Sequence, residues 1–431
     1  MTTRSASRLP NRGGSISATG DLPAPLDGLL RRIHSRTATV AVLGQGYVGF
    51  PLAQRAAERG FPTIGIDASE AVKRRCDGMN VHASYRASFE MADISSSEVV
   101  VVAVPTPTQD EGDVRRPDLA YVRSALDAVG RYPHREGRAR LVVVESTYAP
   151  GTTRALAREY LGANGELGET LAVGYSPERI DPGNSHYSVD NIPKVVSGLC
   201  GASARLVKEF YDAIVDQTVP ASSVEAAEAC KLLENTFRFV NITFAQEFEQ
   251  YCNAIGVSAR EATELAATKP FGYMRFHAGP GIGGHCIAED PYFLYEAMLR
   301  ARIQPGVLRS ALDNHESRAQ VLVDRIAAHA GGTVREKKIV LLGVSYKPGV
   351  ADTRRSPASA IRKELLERGA IVSYHDPLVP LFENLESLSI DTESPTNHDL
   401  AVVVMKHASL DVEGMRSSGW RVFDPVEPWE G

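Results

Sequence analysis

A chain of 431 residues exceeds what one hydrophobic core ordinarily supports, so two or three domains are expected. Its 47 Lys and Arg against 53 Asp and Glu make no electrostatic case for a nucleic-acid polymer or an anionic membrane, so any phosphate must be gripped locally. Five scattered cysteines (Cys76, Cys200, Cys230, Cys252, Cys286) without CxxC or Cys/His spacing argue against a disulfide framework and against a bound metal, and for a reduced, cytoplasmic protein.

Residues 1–35 are rich in Ser, Arg, Gly and Pro, lack the apolar segment of a secretory signal, and read as a disordered extension. The apolar run Thr39–Gly44, a helical pattern over Phe50–Arg59 and the run Thr63–Asp67 then spell β-α-β. Further runs at Val99–Val104 and Leu141–Val144, strand-sized and too short for a membrane span, alternate with helical patterns such as Leu119–Val129. Residues 36–220 are expected to form a doubly wound, mostly parallel α/β domain.

Within it, Gly44-Gln45-Gly46-Tyr47-Val48-Gly49 fits GxGxxG with a strand before, a helix after, and Asp67 at the end of the next strand. Gly44 permits the tight turn and Gly46 lets backbone approach a pyrophosphate. Gly49 lets helix pack on sheet, and the helix N-terminus at Tyr47 and Val48 offers N–H groups and positive potential. Asp67 is suited to the adenosine ribose hydroxyls and repels a 2′-phosphate, favouring NAD over NADP, although Arg74 and Arg75 follow within a few residues. Pro105-Thr106-Pro107 and Glu145-Ser146-Thr147 stand at the carboxyl ends of strands, where ligands bind in open α/β sheets; both also read as loop punctuation.

From Val224 to Tyr251 the chain is almost free of Gly and Pro and keeps helical periodicity, so a long central helix is expected, of the kind that joins domains or builds dimers. Lys231, Asn235 and Arg238 share one stripe at i, i+4 and i+7, with Glu228 before them. Such a stripe reads as a solvated face. Here Leu232, Leu233, Phe237, Phe239, Val240, Ile242 and Phe244 surround it and imply a mostly buried helix, whose ammonium and amide would clamp an oxyanion. Tyr175-Ser176-Pro177-Glu178-Arg179-Ile180-Asp181 adds an acid to position water and a guanidinium to hold an anion, neither role settled by spacing.

Residues 279–291 read GPGIGGHCIAEDP, a glycine-rich loop that puts the thiol of Cys286 four residues before Asp290. A thiol with unencumbered backbone can approach a carbonyl, and a nearby acid can activate the water that cleaves the acyl bond. The alternative is an ordinary turn with a small buried cysteine. A second strand-turn-helix alternation follows at Lys338–Gly343, Ala358–Glu367, Ala370–Asp376 and Ala401–Met405. The expected fold is thus α/β, two Rossmann-like doubly wound domains joined by a long central helix and a helical dimerisation region at residues 221–325, with residues 326–431 as the second α/β domain.

Taken in order, GQGYVG, VPTPT, ESTYAPGTT, YSPERIDPGN, EACKLLENTFRFVN, KPFGYMRFHAGPGIGGHCIAEDP and LLGVSYKPGVADTRRSP make the chain resemble the nucleotide-sugar 6-dehydrogenases, the family of UDP-glucose and UDP-N-acetylhexosamine dehydrogenases. The resemblance implies an N-terminal NAD domain, a central dimerisation region, and a C-terminal domain that closes over a nucleotide sugar. It implies that Cys286 is a thiol nucleophile, that Lys231 and Asn235 stabilise the oxyanion, and that Asp290 is a general base or orients water. Thr147 and Glu178 would hold the hydrolytic water, and Thr106, Thr147 and Arg354 would reach NAD. Substrate contacts would fall to Glu178, Arg179, Ile180, Lys231, Asn235, Arg238, Gly283, Tyr346 and Lys347, with Arg275 and His277 at variable sugar-contacting positions. Oxidation of the C6 hydroxymethyl would consume two NAD through a thiohemiacetal and thioester on Cys286, giving a uronic acid for a polysaccharide or glycosylated metabolite.

Three departures bear on this. Pro182 stands where the UDP-glucose branch commonly has a second acid, which leans toward N-acetylhexosamine; the family's Asp-Asp pair is Ala351-Asp352; and Arg355 follows Arg354. Glucose or its 2-acetamido analogue, on uracil or thymine, remain open. A two-electron hydroxy-acid dehydrogenase would account for the NAD domain and the Lys231 helix without Cys286, and an inactive NAD-binding regulator would account for the departures.

Overall fold

A computed structural model describes residues 21–79, 81–111, 114–162, 165–181, 184, 186–390 and 397–425. The chain divides into two compact units, one holding the residues up to Thr106 and Asp118–Lys231, the other Pro107–Pro117 and Leu232 onward.

In the first unit, valine-rich and isoleucine-rich runs buried on both faces build an eight-stranded sheet. Its order is Thr218–Pro220, Lys194–Gly198, Leu171–Tyr175, Arg140–Val144, Val99–Val102, Val40–Leu43, Thr63–Ile66, Tyr85–Ser88. All neighbours are parallel except Leu171–Tyr175 and Lys194–Gly198, which run antiparallel. The order reverses at Val40–Leu43, so the switch point falls beside the Gly44 turn.

The expectation of disorder through residue 35 does not hold for Ala24–His34, which is a helix. Its Leu26, Leu29, Leu30 and Ile33 are buried in one cluster with Leu206 and Phe210, so an amphipathic stripe at i, i+3, i+4 and i+7 outweighs the polar composition around it. Residues 1–20 lie outside the described part.

In the second unit, the helices Leu232 onward within Val224–Ala254, Ala259–Ala267, His285–Arg300 and Gly306–His329 precede a four-stranded parallel sheet. That sheet has the order Ile371–His375, Lys338–Leu342, Leu400–Val403, Val422–Phe423. The helix Gly306–His329 runs through the boundary expected at residue 325, because Leu322, Val323 and Ile326 on its last turns belong to the core of this sheet. The hairpin Thr108–Glu111 and Val114–Pro117, unforeseen from sequence, also belongs to the second unit. Among the described residues no helix is long and apolar enough to cross a membrane.

The long helix differs from its expected burial. Leu232 and Phe239 are buried, but Leu233, Phe237, Phe244, Tyr251 and Ile255 are exposed. These five lie at i, i+4, i+11, i+18 and i+22, one stripe at about 100° per residue, and Lys231 and Asn235 fall on the opposite side. The helix therefore turns polar groups inward and an apolar stripe outward, the reverse of an ordinary surface helix.

Candidate active site

The glycine-rich turn of the first unit has no room for a side chain at two of its three glycines. Gly44 has φ +88° and a Cβ there would stand 2.6 Å from the Ala103 carbonyl oxygen; one on Gly49 would stand 1.9 Å from the Gly44 oxygen. A Cβ on Gly46 would meet nothing within 4 Å, so that glycine faces open space beside the N-terminus of helix Gly49–Glu58. The Asp67 carboxylate accepts from Gln45 N at 2.8 Å and from Ser69 N at 2.9 Å, anchoring the turn to the end of the next strand. Arg75 donates to the Gln45 carbonyl oxygen at 2.5 Å and Arg74 pairs with Glu70, so both guanidiniums have partners within the protein. Tyr47 is exposed at the turn, Val48 caps the helix, and Thr106 is buried. Open backbone, a helix N-terminus and an acid at the end of the next strand fit a dinucleotide.

Glu178, expected to help hold the hydrolytic water, lies among protein partners. Its side chain is buried: one oxygen accepts from Arg179 N at 2.6 Å and from Ile180 N, the other from Lys194 Nζ at 2.9 Å. Lys194 lies equally 3.0 Å from Glu145, which also accepts from the Tyr211 hydroxyl. Burial pushes Glu145 up to about 7 against the pull of Lys194. Burial is the largest influence on Glu178 and opposes its ionisation, yet Lys194 and the Ile180 N–H together outweigh it and hold that carboxyl below its usual range. Lys231, buried, donates to the Glu178 carbonyl oxygen at 2.5 Å, and Arg179 Nη1 donates to Pro193 O at 2.6 Å. Thus the first unit brings Lys231, Glu178, Arg179 and Ile180 together, held by Glu145, Lys194 and Tyr211, of which only Glu145 stands in a strand-end motif legible in the sequence. Thr147 is half-buried, and Pro182 lies outside the described residues. Glu228 instead caps helix Thr152–Tyr160, accepting from Gly151 N at 2.6 Å, Thr153 N at 2.8 Å and Thr153 Oγ1 at 2.6 Å.

In the second unit, Cys286 is exposed at the second residue of helix His285–Arg300, capped by Gly284 at φ +82°. A helix N-terminus favours the thiolate. One turn on, buried Asp290 accepts from Asn235 Nδ2 at 2.5 Å. The glycines before Cys286 serve close packing rather than only access: a Cβ on Gly283 would lie 2.7 Å from Tyr346 Cβ, and one on Gly284 2.9 Å from the Tyr346 ring. Gly284 N donates to Arg354 O at 3.1 Å, so the loop after strand Lys338–Leu342 rests on the loop before Cys286. The Arg354 side chain forks onto Asp352, with 2.7 Å for its shortest contact. Arg355 pairs instead with buried Glu289 at 2.6 Å, and Glu289 also accepts from Thr108 N of the hairpin. Arg238, Arg275 and His277 are exposed.

The loop Ser345–Gly349 carrying Tyr346 and Lys347 is held by Asp376 and His407. Asp376 accepts from Val344 N at 2.7 Å, Leu378 N at 2.8 Å and His407 Nε2 at 3.1 Å, while His407 Nδ1 accepts from Gly349 N at 3.2 Å. Burial alone would raise the Asp376 carboxyl, but these donors hold it below the ordinary value. The signal was present in sequence: Gly343 and Asp376 repeat the Gly44 and Asp67 pattern, and Gly343 N donates to His375 O at 2.8 Å as Gly44 N does to Ile66 O.

A dinucleotide turn in one unit and a second Rossmann-like sheet in the other, with an exposed thiol and a carboxylate–amide pair, are features of an NAD-dependent dehydrogenase. The sequence matches three family models: the UDP-glucose/GDP-mannose dehydrogenase family NAD-binding domain at residues 38–215, its central domain at 225–316 and its UDP-binding domain at 340–424. Similar proteins include a UDP-N-acetyl-D-mannosamine dehydrogenase of Methanococcus maripaludis, 31% identical over 390 residues covering 85% of this chain and 86% of that protein. Another is an NDP-N-acetyl-D-galactosaminuronic acid dehydrogenase of Ralstonia solanacearum, 28% identical with 90% and 96% covered. The solved UDP-D-ManNAc dehydrogenase of Pyrococcus horikoshii superposes with a TM-score of 0.79 at 29% identity, covering 90% of this chain and 94% of that one. The chain belongs to the UDP-glucose/GDP-mannose dehydrogenase family and is an NAD-dependent nucleotide-sugar dehydrogenase.

Proposed function

We propose that the enzyme carries out the four-electron oxidation of the C6 hydroxymethyl of a UDP-linked 2-acetamido hexose to the uronic acid, with Cys286 as the covalent nucleophile. The observation that carries this reading is an exposed thiol at a helix N-terminus, one turn from a carboxylate bound to an amide. NAD, when bound, accepts the hydride in each of two oxidations. The chain's own residues do the rest. Lys231 and Asn235 stabilise the alkoxide of the alcohol and then the tetrahedral oxygen. Cys286 Sγ adds to the C6 aldehyde, forming the C–S bond of a thiohemiacetal, whose oxidation leaves a thioester. Asp290, with Thr147, directs water to the thioester carbon; the C–S bond breaks, the thiolate leaves, and the sugar carboxylate is released. The sum is one alcohol, two NAD and one water to one carboxylate, two NADH and three protons.

Glu178 acts here by shaping the segment that carries Arg179 and Ile180 rather than by holding water itself. Tyr346 and Lys347, on the loop fixed by Asp376 and His407, contact the nucleotide sugar; Arg238, Arg275 and His277 contribute to sugar recognition, and Arg354 reaches NAD. The 2-acetamido preference is supported by Pro182 in place of an acid and by relatives named for N-acetylmannosamine and N-acetylgalactosaminuronic acid. A panel of UDP- and dTDP-hexoses incubated with NAD and analysed by mass tests it: the substrate gains an oxygen, loses two hydrogens, and yields two NADH. One NADH per sugar, or full activity in Cys286→Ala, would overturn the covalent route. The outward stripe Leu233, Phe237, Phe244, Tyr251 and Ile255 supports a homodimer built on the long helix, since contiguous apolar surface on a soluble chain marks an interface.

A further inference from the structure

We propose that the second unit contains an oxyanion-binding site behind the Cys286 helix, sized for one phosphate and built around Arg318, His315 and Arg115. A cavity of about 210 Å³ lies between the hairpin, helix His285–Arg300, helix Gly306–His329 and the start of helix Pro357–Glu367. Ala288 forms part of its wall; two residues from Cys286, it faces the other side of the helix, so the cavity is not the thiol's own pocket.

Three buried polar atoms on two residues that line this cavity have no hydrogen-bond partner among the described residues. Arg318, 3% exposed at its side chain, spends Nη2 on Glu249 Oε2 and Gly279 O, each at 2.7 Å, while its Nε and Nη1 have none. His315 Nδ1, one turn earlier on the same helix, is likewise buried without a partner. Buried polar atoms left unpaired cost stability, and a ligand that accepts from the Arg318 N–H groups and pairs with the imidazole removes that cost. The charge points to an anion: Glu249 is shared between Arg318 and Arg325, so one carboxylate answers two guanidiniums. Arg115 lines the cavity from the hairpin, and the positive end of helix Pro357–Glu367, capped by Ser356, faces it. Glu316 also stands in the wall, where it accepts from the Tyr292 hydroxyl at 2.9 Å. Ligand pockets for drug-sized molecules run to roughly 300–1,000 Å³, so this volume suits a small oxyanion and excludes a nucleotide sugar.

The test is calorimetric titration of the full-length protein with inorganic phosphate at fixed ionic strength, chloride serving as the control. Wild type is expected to bind one phosphate saturably at this site and to show a phosphate-dependent rise in melting temperature. Arg318→Lys keeps a cation for Glu249 but lacks the two unpartnered nitrogens Nε and Nη1, and is expected to weaken binding about tenfold. Arg115→Gln, on the hairpin and outside the Arg318–Glu249 pair, should weaken it too and guards against a folding defect in the first variant. No heat beyond the chloride control overturns the proposal. So does unchanged affinity in both variants, or strict competition by UDP, which would assign the phosphate to the nucleotide-sugar site.

Discussion

Replacing Lys194 by Met tests whether the buried ion group under Glu178 organises the first unit. In the wild type Lys194 lies 2.9 Å from Glu178 and 3.0 Å from Glu145, all three buried. Removing one partner of a buried ion pair costs about 3–5 kcal/mol, because the remaining charge is neither hydrated nor paired. At roughly 2–4 °C per kcal/mol for a unit of this size, the melting temperature of this unit should fall by about 6–20 °C. The two carboxylates are not equally stranded. Glu178 keeps N–H donors from Arg179 and Ile180, whereas Glu145 keeps the Tyr211 hydroxyl as its donor and has one oxygen, Oε2, without a hydrogen-bond partner among the described residues. Adding Glu145→Gln to Lys194→Met should therefore recover at least half of the loss, measured by urea and thermal unfolding of all four members of the cycle. A single-variant loss below about 1 kcal/mol, or strictly additive losses in the double variant, would refute the reasoning.

Glu145 also sets a pH dependence: its folded value, about 7, exceeds that of the unfolded chain, so its contribution is fully present in acid and is lost as pH rises through about 7. Glu145→Gln should flatten the decline in stability between about pH 5 and 8, followed by unfolding at a series of pH values. Gly46→Ala, which meets open space, should fold with a melting temperature within about 1 °C of wild type yet lose affinity for ADP-ribose by calorimetry; Gly49→Ala should be destabilised outright. Leu233→Glu with Phe244→Glu, both exposed in the single chain, should halve the mass seen by light scattering without unfolding the protein.

Local periodicity made much of the fold readable. Short apolar runs bounded by turn signals read as buried strands, and Val40–Leu43, Val99–Val102 and Lys338–Leu342 fall within a residue or two of where the pattern puts them. The glycine turn and Asp67 were equally legible, because their requirements are steric and act over a few residues. Helix Ala24–His34 was obscured because composition was averaged over a polar neighbourhood, although its buried stripe is regular.

What only tertiary structure decided is which partners polar groups find across long separations. That Glu178 turns inward to Lys194, that Arg355 pairs with Glu289, and that His407 meets Asp376 are contacts between residues 16, 66 and 31 positions apart. No local pattern encodes them, since an exposed carboxylate and a buried, paired one are the same letter. Likewise the spacing of Leu233, Phe237 and Phe244 shows that they share a stripe, but only the packing of the surrounding elements determines that the stripe faces outward while Lys231 faces in.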